Sequence, residues 1–358
     1  RVVLADDTLT ADAAYRLACE GTGLLWRGDF QNARQLLQAM ARRIDKPQKV
    51  KRKKADATAP VPGAAFHTHR QAQAQRTRVL SQILIELNGD YGITLRRAPD
   101  AKQACAQAFG PANGQSSVIS LRALQGVIGA FEWRKNGVEV PALGEGLRIH
   151  PHYGVFSPVR GEYVALVTQA PLPAALKEHS VAFDIGVGTG VLSAVLARRG
   201  ASQVVATDMA ERALACARDN LQRLGLQNQV QLLQADLFPP GQAALVVCNP
   251  PWLPARPTSV LEQAVYDEGS QMLKGFLGGL KAHLCEGGEG WLILSDLAEH
   301  LGLRTREALL GWIADAGLQV LGRMDVKPVH GKAQDASDPL HAARAKEVTS
   351  LWRLAAAA

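Results

Sequence analysis

The chain has few cysteines for its 358 residues. Cys19, Cys105, Cys216, Cys248 and Cys285 are odd in number and scattered, with no C-x-x-C pair. Such a set builds neither a disulfide framework nor a zinc site, and it fits a reducing, cytoplasmic setting. Cys248 reads as a small apolar residue ending a buried strand rather than a nucleophile. No stretch reaches the roughly 18 consecutive apolar residues of a membrane-spanning helix, so no membrane association is expected. Residues Arg1 to Asp7 lack a secretory h-region, and an opening on Arg instead of Met implies a few residues ahead of it. Internal repeats are also absent. His67-x-His69 and His150-x-His152 come without a third ligand at recognisable spacing, so no metal is expected.

What is present is ordinary globular material. With 47% hydrophobic and 20% charged residues the chain can bury a large core, and its length suggests two domains. The charge is uneven. Between Arg42 and Lys54 eight basic residues face Asp45 alone, which matches the whole net charge of +7.

Residues 1–145 read as a smaller α+β accessory region. Two helices are expected over residues 8–43, interrupted between Gly21 and Gly28, with Asp29 capping the second. Residues 46–63 turn basic and then Ala/Pro-rich, the composition of a linker. A third helix is expected from His69 to Leu87. The alternation around Asn136-Gly137, from Phe131 to Val140, predicts a hairpin.

Residues 146–358 read as an α/β domain. Apolar strands are expected at Val181–Ile185, Val204–Thr207, Val230–Gln234, Ala244–Cys248, Trp291–Ser295, Leu318–Met324 and Val348–Leu354. Helices are expected at Glu211–Leu224 and Gln271–Leu284. Strands alternating with amphipathic helices predict a doubly wound, mostly parallel sheet covered on both faces.

Two motifs carry the chemistry. In Phe183-Asp184-Ile185-Gly186-Val187-Gly188-Thr189-Gly190 a strand runs into a glycine turn that opens a helix, where the missing Cβ atoms let a cofactor approach the backbone. About sixty residues later Asn249-Pro250-Pro251-Trp252 ends another strand. Asp208 and Asp236 each follow a strand in between. Alone, each acid reads as a helix cap or turn residue. Together they favour a ligand crevice at the carboxyl edge of the sheet. The spacing G-x-G-x-G, with Val191 in the sixth position, departs from the G-x-G-x-x-G of dinucleotide dehydrogenases.

Over residues 150–355 these motifs resemble the class I S-adenosylmethionine-dependent methyltransferases, of the small-domain type that methylates a planar NH2 group. The resemblance implies a seven-stranded sheet and S-adenosyl-L-methionine as cofactor. It places the cofactor on Asp184, Gly186, Val187, Gly188 and Gly190. The ribose falls to Asp208 beside Met209, and the adenine to Asp236 and Leu237. His152 to Arg160 resembles the segment that closes over the cofactor, with Phe156 packing on it and Arg160 meeting its carboxylate. Phe156 as ordinary core is the competing account. Tyr266, Asp267 and Glu268 read either as an entrance to the site or as a solvated helix start.

In that family the Asn249 side-chain oxygen and the Pro250 carbonyl accept the two N–H bonds of the target nitrogen. Pro250 and Pro251 stiffen the loop, and Trp252 stacks on the flat acceptor. A plain Asn-Pro turn is the bland account. The acceptor is expected to be a nucleobase amine, in RNA ahead of DNA, held through the basic segment 42–54 with help from Arg70, Arg76 and Arg78. A disordered solubilising linker is the competing reading of that segment. A protein glutamine amide, as in release-factor methyltransferases, is the alternative acceptor. A non-catalytic RNA-binding or assembly protein with an inherited methyltransferase shell is the alternative role.

Overall fold

A computed structural model describes residues 1–46, 61–159, 161–259, 262–328 and 335–357. The chain divides into two compact units, Arg1–Glu132 and Trp133–Ala358.

The first unit is an α/β arrangement built on a four-stranded sheet. Strands β1 (Val2–Ala5), β2 (Gly23–Trp26) and β3 (Ile83–Leu87) run parallel, and β4 (Ser117–Ser120) pairs antiparallel with β3. Helices α1 (Ala11–Cys19), α2 (Phe30–Asp45), α3 (Ala64–Leu80) and α4 (Lys102–Phe109) complete it. Thr10 and Asp29 cap α1 and α2 through their side-chain oxygens.

The first two helices and the break between them stand where expected, but one strand was not foreseen and two other expectations fail in this region. The break between Gly21 and Gly28 contains β2, a four-residue apolar run too short to show a period. The expected helix from His69 to Leu87 is really α3 followed by β3. Val79 and Leu80 are buried on the helix, whereas Ile83, Ile85 and Leu87 are buried on alternate positions of the strand. The Asn136-Gly137 hairpin is absent. Residues 121–136 form helix α5 (Leu121–Asn136), which buries Leu121, Leu124 and Val127 at helical spacing. Gly137, at φ +70°, donates its N–H to the Trp133 carbonyl at 2.8 Å. A dipeptide that tolerates positive φ serves a helix terminus as well as a tight turn, and the longer helical pattern decides between them. Linker residues 47–60 lie outside the described residues.

In the second unit β5 (Val138–Glu139) and β6 (Arg148–Ile149) form a small antiparallel pair, followed by α6 (Glu162–Gln169). The main sheet then opens with β7 (Val181–Ile185), α7 (Val191–Arg198), β8 (Gln203–Asp208), α8 (Glu211–Arg223) and β9 (Val230–Gln234). It continues with β10 (Ala243–Cys248), α9 (Gln271–His283), β11 (Leu284–Ser295), α10 (Leu297–His300), α11 (Arg306–Asp315), β12 (Leu318–Val326) and, after a short helical turn, β13 (Thr349–Ala356). The seven strands stand in the order β12-β13-β11-β10-β7-β8-β9, and all run in one direction except β13, which is antiparallel to both of its neighbours.

Both faces are covered, as the continuous apolar strands require. Ala182, Leu245, Val247 and Ile293 face a core built with α6, α7 and α8. Phe183, Ile185, Val246 and Cys248 face a second core built with α9 and α11. The period of two along each strand divides its residues between the layers.

Candidate active site

The strand order reverses direction at β7. Chain continuation goes outward through β8 and β9, and the chain then returns to place β10 on the other side of β7. A crevice opens at such a switch point, outside the carboxyl ends of the strands. The register is explicit: Val247 lies opposite Asp184 and Cys248 opposite Ile185, while Ile185 lies opposite Thr207. Gly186 and Asn249, the next residues on each strand, therefore leave the sheet side by side.

The turn after β7 is held by backbone bonds. The N–H groups of Gly186 and Val187 both donate to the Thr207 carbonyl, at 2.9 and 2.8 Å, and that of Gly190 donates to Val187 at 2.8 Å. Gly186, Gly188 and Gly190 all have positive φ. Their surroundings differ. A Cβ on Gly190 would sit 3.3 Å from Ala217 of α8, so this glycine lets two helices approach closely. A Cβ on Gly188 would project into open space at the mouth of the crevice.

Acidic groups line this mouth. Asp208 accepts the N–H of Gly188 at 3.2 Å and that of Ala210 at 2.9 Å. Burial raises its carboxyl above the usual range despite those donors. Asp184 is almost wholly buried; Ser193 Oγ donates to its Oδ2 at 2.5 Å, and its Oδ1 is buried with no partner. Burial pushes its pKa up to about 6.

After β9 the chain turns through Asp236, which is exposed, and Leu237, which has φ +67°. The Thr207 hydroxyl donates to the Leu237 carbonyl, which fixes the turn to the end of β8. Gly275 and Gly279 of α9 make room for it, since a Cβ on either would strike Leu237 or Phe238 at 2.6 or 2.5 Å. Met209, beyond Asp208, is exposed.

On the β10 side Pro250 is buried, while Asn249, Pro251 and Trp252 are partly buried. The Trp252 indole N–H donates to Asn249 Oδ1 at 2.9 Å. Two backbone bonds, Leu253 N–H to Val265 and Asp267 N–H to Leu253, staple the loop to residues 265–267. Asp267 accepts three N–H groups at the start of α9, from Gln271, Met272 and Leu273, which makes it a helix cap.

Residues 146–299 match the model of the methyltransferase small domain. Over those residues the chain is similar to class I S-adenosylmethionine-dependent methyltransferase domains. The chain is 30% identical over 176 residues to the release factor glutamine methyltransferase of Cereibacter sphaeroides, covering 45% of this chain and 60% of that protein. It is 28% identical over 184 residues to the tRNA1(Val) (adenine(37)-N6)-methyltransferase of Shewanella sp. (strain MR-4), covering 49% of this chain and 74% of that one. The chain thus spans less than two thirds of the length of the first of these relatives.

This part of the chain presents residues that suit S-adenosylmethionine. An orphaned, buried carboxylate oxygen on Asp184 awaits a donor, and Gly188, at positive φ, leaves open space where a Cβ would stand. Tyr163 of α6 is also buried close to Asp184, and its hydroxyl is pushed to high pKa by burial and by that neighbour.

Sequence reasoning missed how the segment before α6 is fastened. His150 exchanges hydrogen bonds with the Asn220 side chain of α8, at 2.7 and 3.2 Å, and Asn220 also donates to the Thr189 carbonyl in the glycine turn. His152 Nε2 lies 2.8 Å from Asp219, which also pairs with Arg134 at 2.9 Å. The Asn220 bonds are made by the His150 backbone, while its ring Nδ1 lies 2.7 Å from the Arg134 carbonyl; together these contacts tie the segment beside the turn. Phe156, which follows, is 40% exposed, too open for ordinary core; Arg160 lies outside the described residues. Cys248 is fully buried, and burial pushes its thiol far above the reactive range.

Asp184 gives a pH prediction. Its carboxyl keeps a proton to pH about 6 when folded but releases it near 3.8 when unfolded. A raised folded-state pKa means that stability falls as pH rises through that window, by on the order of 3 kcal/mol at 1.36 kcal/mol per unit. Asp184→Asn is expected to raise the melting temperature of the ligand-free protein at pH 7 and to flatten its dependence between pH 4 and 7. An unchanged thermal profile would remove the orphaned carboxylate from the account.

Proposed function

We propose that this chain transfers a methyl group from S-adenosylmethionine to a planar NH2 nitrogen, and that the acceptor is the exocyclic amine of a nucleobase, in RNA ahead of DNA. The observation that carries the reading is the register of β7 and β10, which sets Asn249 beside the glycine turn. In this reading Asp184, Gly186, Val187, Gly188 and Gly190 cradle the methionine end. Asp208 beside Met209 accepts from the ribose hydroxyls, and Asp236 with Leu237 borders the adenine. When bound, the cofactor supplies an electrophilic methyl group.

The lone pair of an amide or aromatic NH2 is spread into a π system and attacks poorly. Asn249 Oδ1 and the Pro250 carbonyl grip its two N–H bonds, favour a pyramidal nitrogen and aim the lone pair. Phe156 and Arg160 are assigned to the cover over the cofactor.

The acceptor assignment leans on charge. Arg42, Arg43 and Lys46 open the basic segment, and the rest of its cations lie outside the described residues. Part of the expected surface is engaged within the first unit: Arg43 pairs with Asp12, and Arg76 holds Asp45 through two 2.9 Å bonds. The name of the Cereibacter relative supports a second reading, a glutamine amide acceptor. A non-catalytic shell is disfavoured by the intact Asp184, Asp208 and Asn249. We assign the protein to the cytoplasm on its unpaired cysteines; no described helix is long and apolar enough to cross a membrane.

Incubation with methyl-labelled cofactor and cell extract, followed by nuclease or protease digestion, decides the acceptor. Label released by nuclease is expected. Label lost only to protease would transfer the assignment to glutamine.

A further inference from the structure

The Asn249–Trp252 contact gives the tryptophan a role apart from covering an acceptor. The two residues are three apart, with Pro250 and Pro251 between them. Neither proline has an N–H to give, so the turn cannot fix itself through backbone donors at those positions. The Trp252 ring is partly buried and packs against both hydrophobic cores, at the rim where the layers flanking the sheet meet. Its body is thereby anchored to the rigid part of the domain. From that anchor Nε1 reaches Asn249 Oδ1 at 2.9 Å.

Indole is a donor and never an acceptor, so the end of the Asn249 amide facing it has to be the oxygen. The opposite orientation would set two donors against each other and leave a partly buried indole N–H unmet, a cost of about 1–3 kcal/mol. An amide oxygen has two acceptor sites, and the indole takes one. The second remains for an incoming N–H.

We infer that Trp252 is a positioning residue, whose indole N–H locks the Asn249 amide with its oxygen presented for the acceptor nitrogen. The inference rests on the methyl-transfer reading for its consequence but not for its geometry. Trp252→Phe keeps an aromatic face and the packing while removing the donor. Its single-turnover rate of methyl transfer to total RNA is expected to fall about tenfold, the loss of one hydrogen bond's worth of orientation. The cofactor dissociation constant and the apparent KM for RNA should stay within about twofold of wild type, since an orientation lost only at the reacting nitrogen leaves ground-state binding alone.

Two measurements separate this from other roles. If the ring acts only by stacking, Trp252→Phe turns over like wild type, and the inference fails. If it acts only as core, the melting temperature falls while the rate of the folded protein is unchanged, and the inference fails. The second arm needs no activity. The chain has six tryptophans, and the indole N–H resonance missing from the Trp252→Phe spectrum belongs to Trp252. In Asn249→Ala that resonance should move and exchange faster with solvent; an unmoved, equally protected resonance overturns the contact. Should wild type label no RNA, the acceptor assignment falls while the indole measurement still judges the contact.

Discussion

Asn249→Ala is expected to lower the rate of methyl transfer by about 100- to 1,000-fold, the usual effect of deleting one preorganised polar group at a reacting centre. Cofactor affinity should stay within about twofold of wild type, because the residue leaves β10 and not β7. The side chain does no bond-making of its own. Its oxygen is carried on a loop stiffened by two prolines, held by Trp252 and stapled through Leu253 to residues 265–267. Those restraints are in place before the acceptor arrives, so little is spent on ordering when it does. A drop confined to KM would mean that Asn249 merely binds the acceptor. Wild-type turnover would take it out of the reaction. Thermal unfolding controls for the indole N–H left without its partner.

Asp208→Ala is expected to weaken cofactor binding by about 1.5–3 kcal/mol, roughly 10- to 150-fold in dissociation constant. Two effects combine. The carboxylate, at the end of β8, is the acceptor proposed for the ribose hydroxyls, and it holds the N–H groups of Gly188 and Ala210. Removing it loosens the glycine turn as well as the ligand contact. Asp208→Asn keeps one acceptor and should lie between. Isothermal titration with S-adenosylmethionine reads the order directly, and equal affinity across the three proteins would remove Asp208 from the site.

Much of the second unit was legible in the sequence. The strands Val181–Ile185 and Val230–Gln234 have the expected bounds. Buried parallel strands are short apolar runs closed by polar or glycine residues, and nothing competes with that reading. Glu211–Arg223 and Gln271–His283 likewise start and stop within one residue of expectation. The carboxyl-edge residues could be placed because each followed such a strand.

The first unit was less legible for the same physical reason. Gly23–Trp26 is four residues long, too short for a period. Residues 64–87 change from a helix to a strand with only two residues between, so Val79 and Ile83 look like neighbours on one helical face. Asn136-Gly137 satisfies the chemistry of a hairpin and of a helix terminus equally, and only the packing of α5 chooses.

At the site, side-chain partnerships were out of reach. Nothing in the spacing of Asn249 and Trp252 specifies that the indole would bind the amide oxygen. Nor does it show that Asp184 would keep one oxygen unpaired, or that the His150 and His152 rings would be committed to the Arg134 carbonyl and to Asp219. Such contacts depend on tertiary placement rather than on period or motif.

The central claim is that the ends of β7 and β10 together enclose one reaction site. Its most direct test is a crystal structure of the chain with S-adenosylmethionine or its demethylated product. The account predicts the ligand's methionine end over Gly186–Gly190, its ribose at Asp208, and its sulfur facing Asn249 across the crevice. A ligand bound elsewhere, or bound with its sulfur turned away from Asn249, would contradict it.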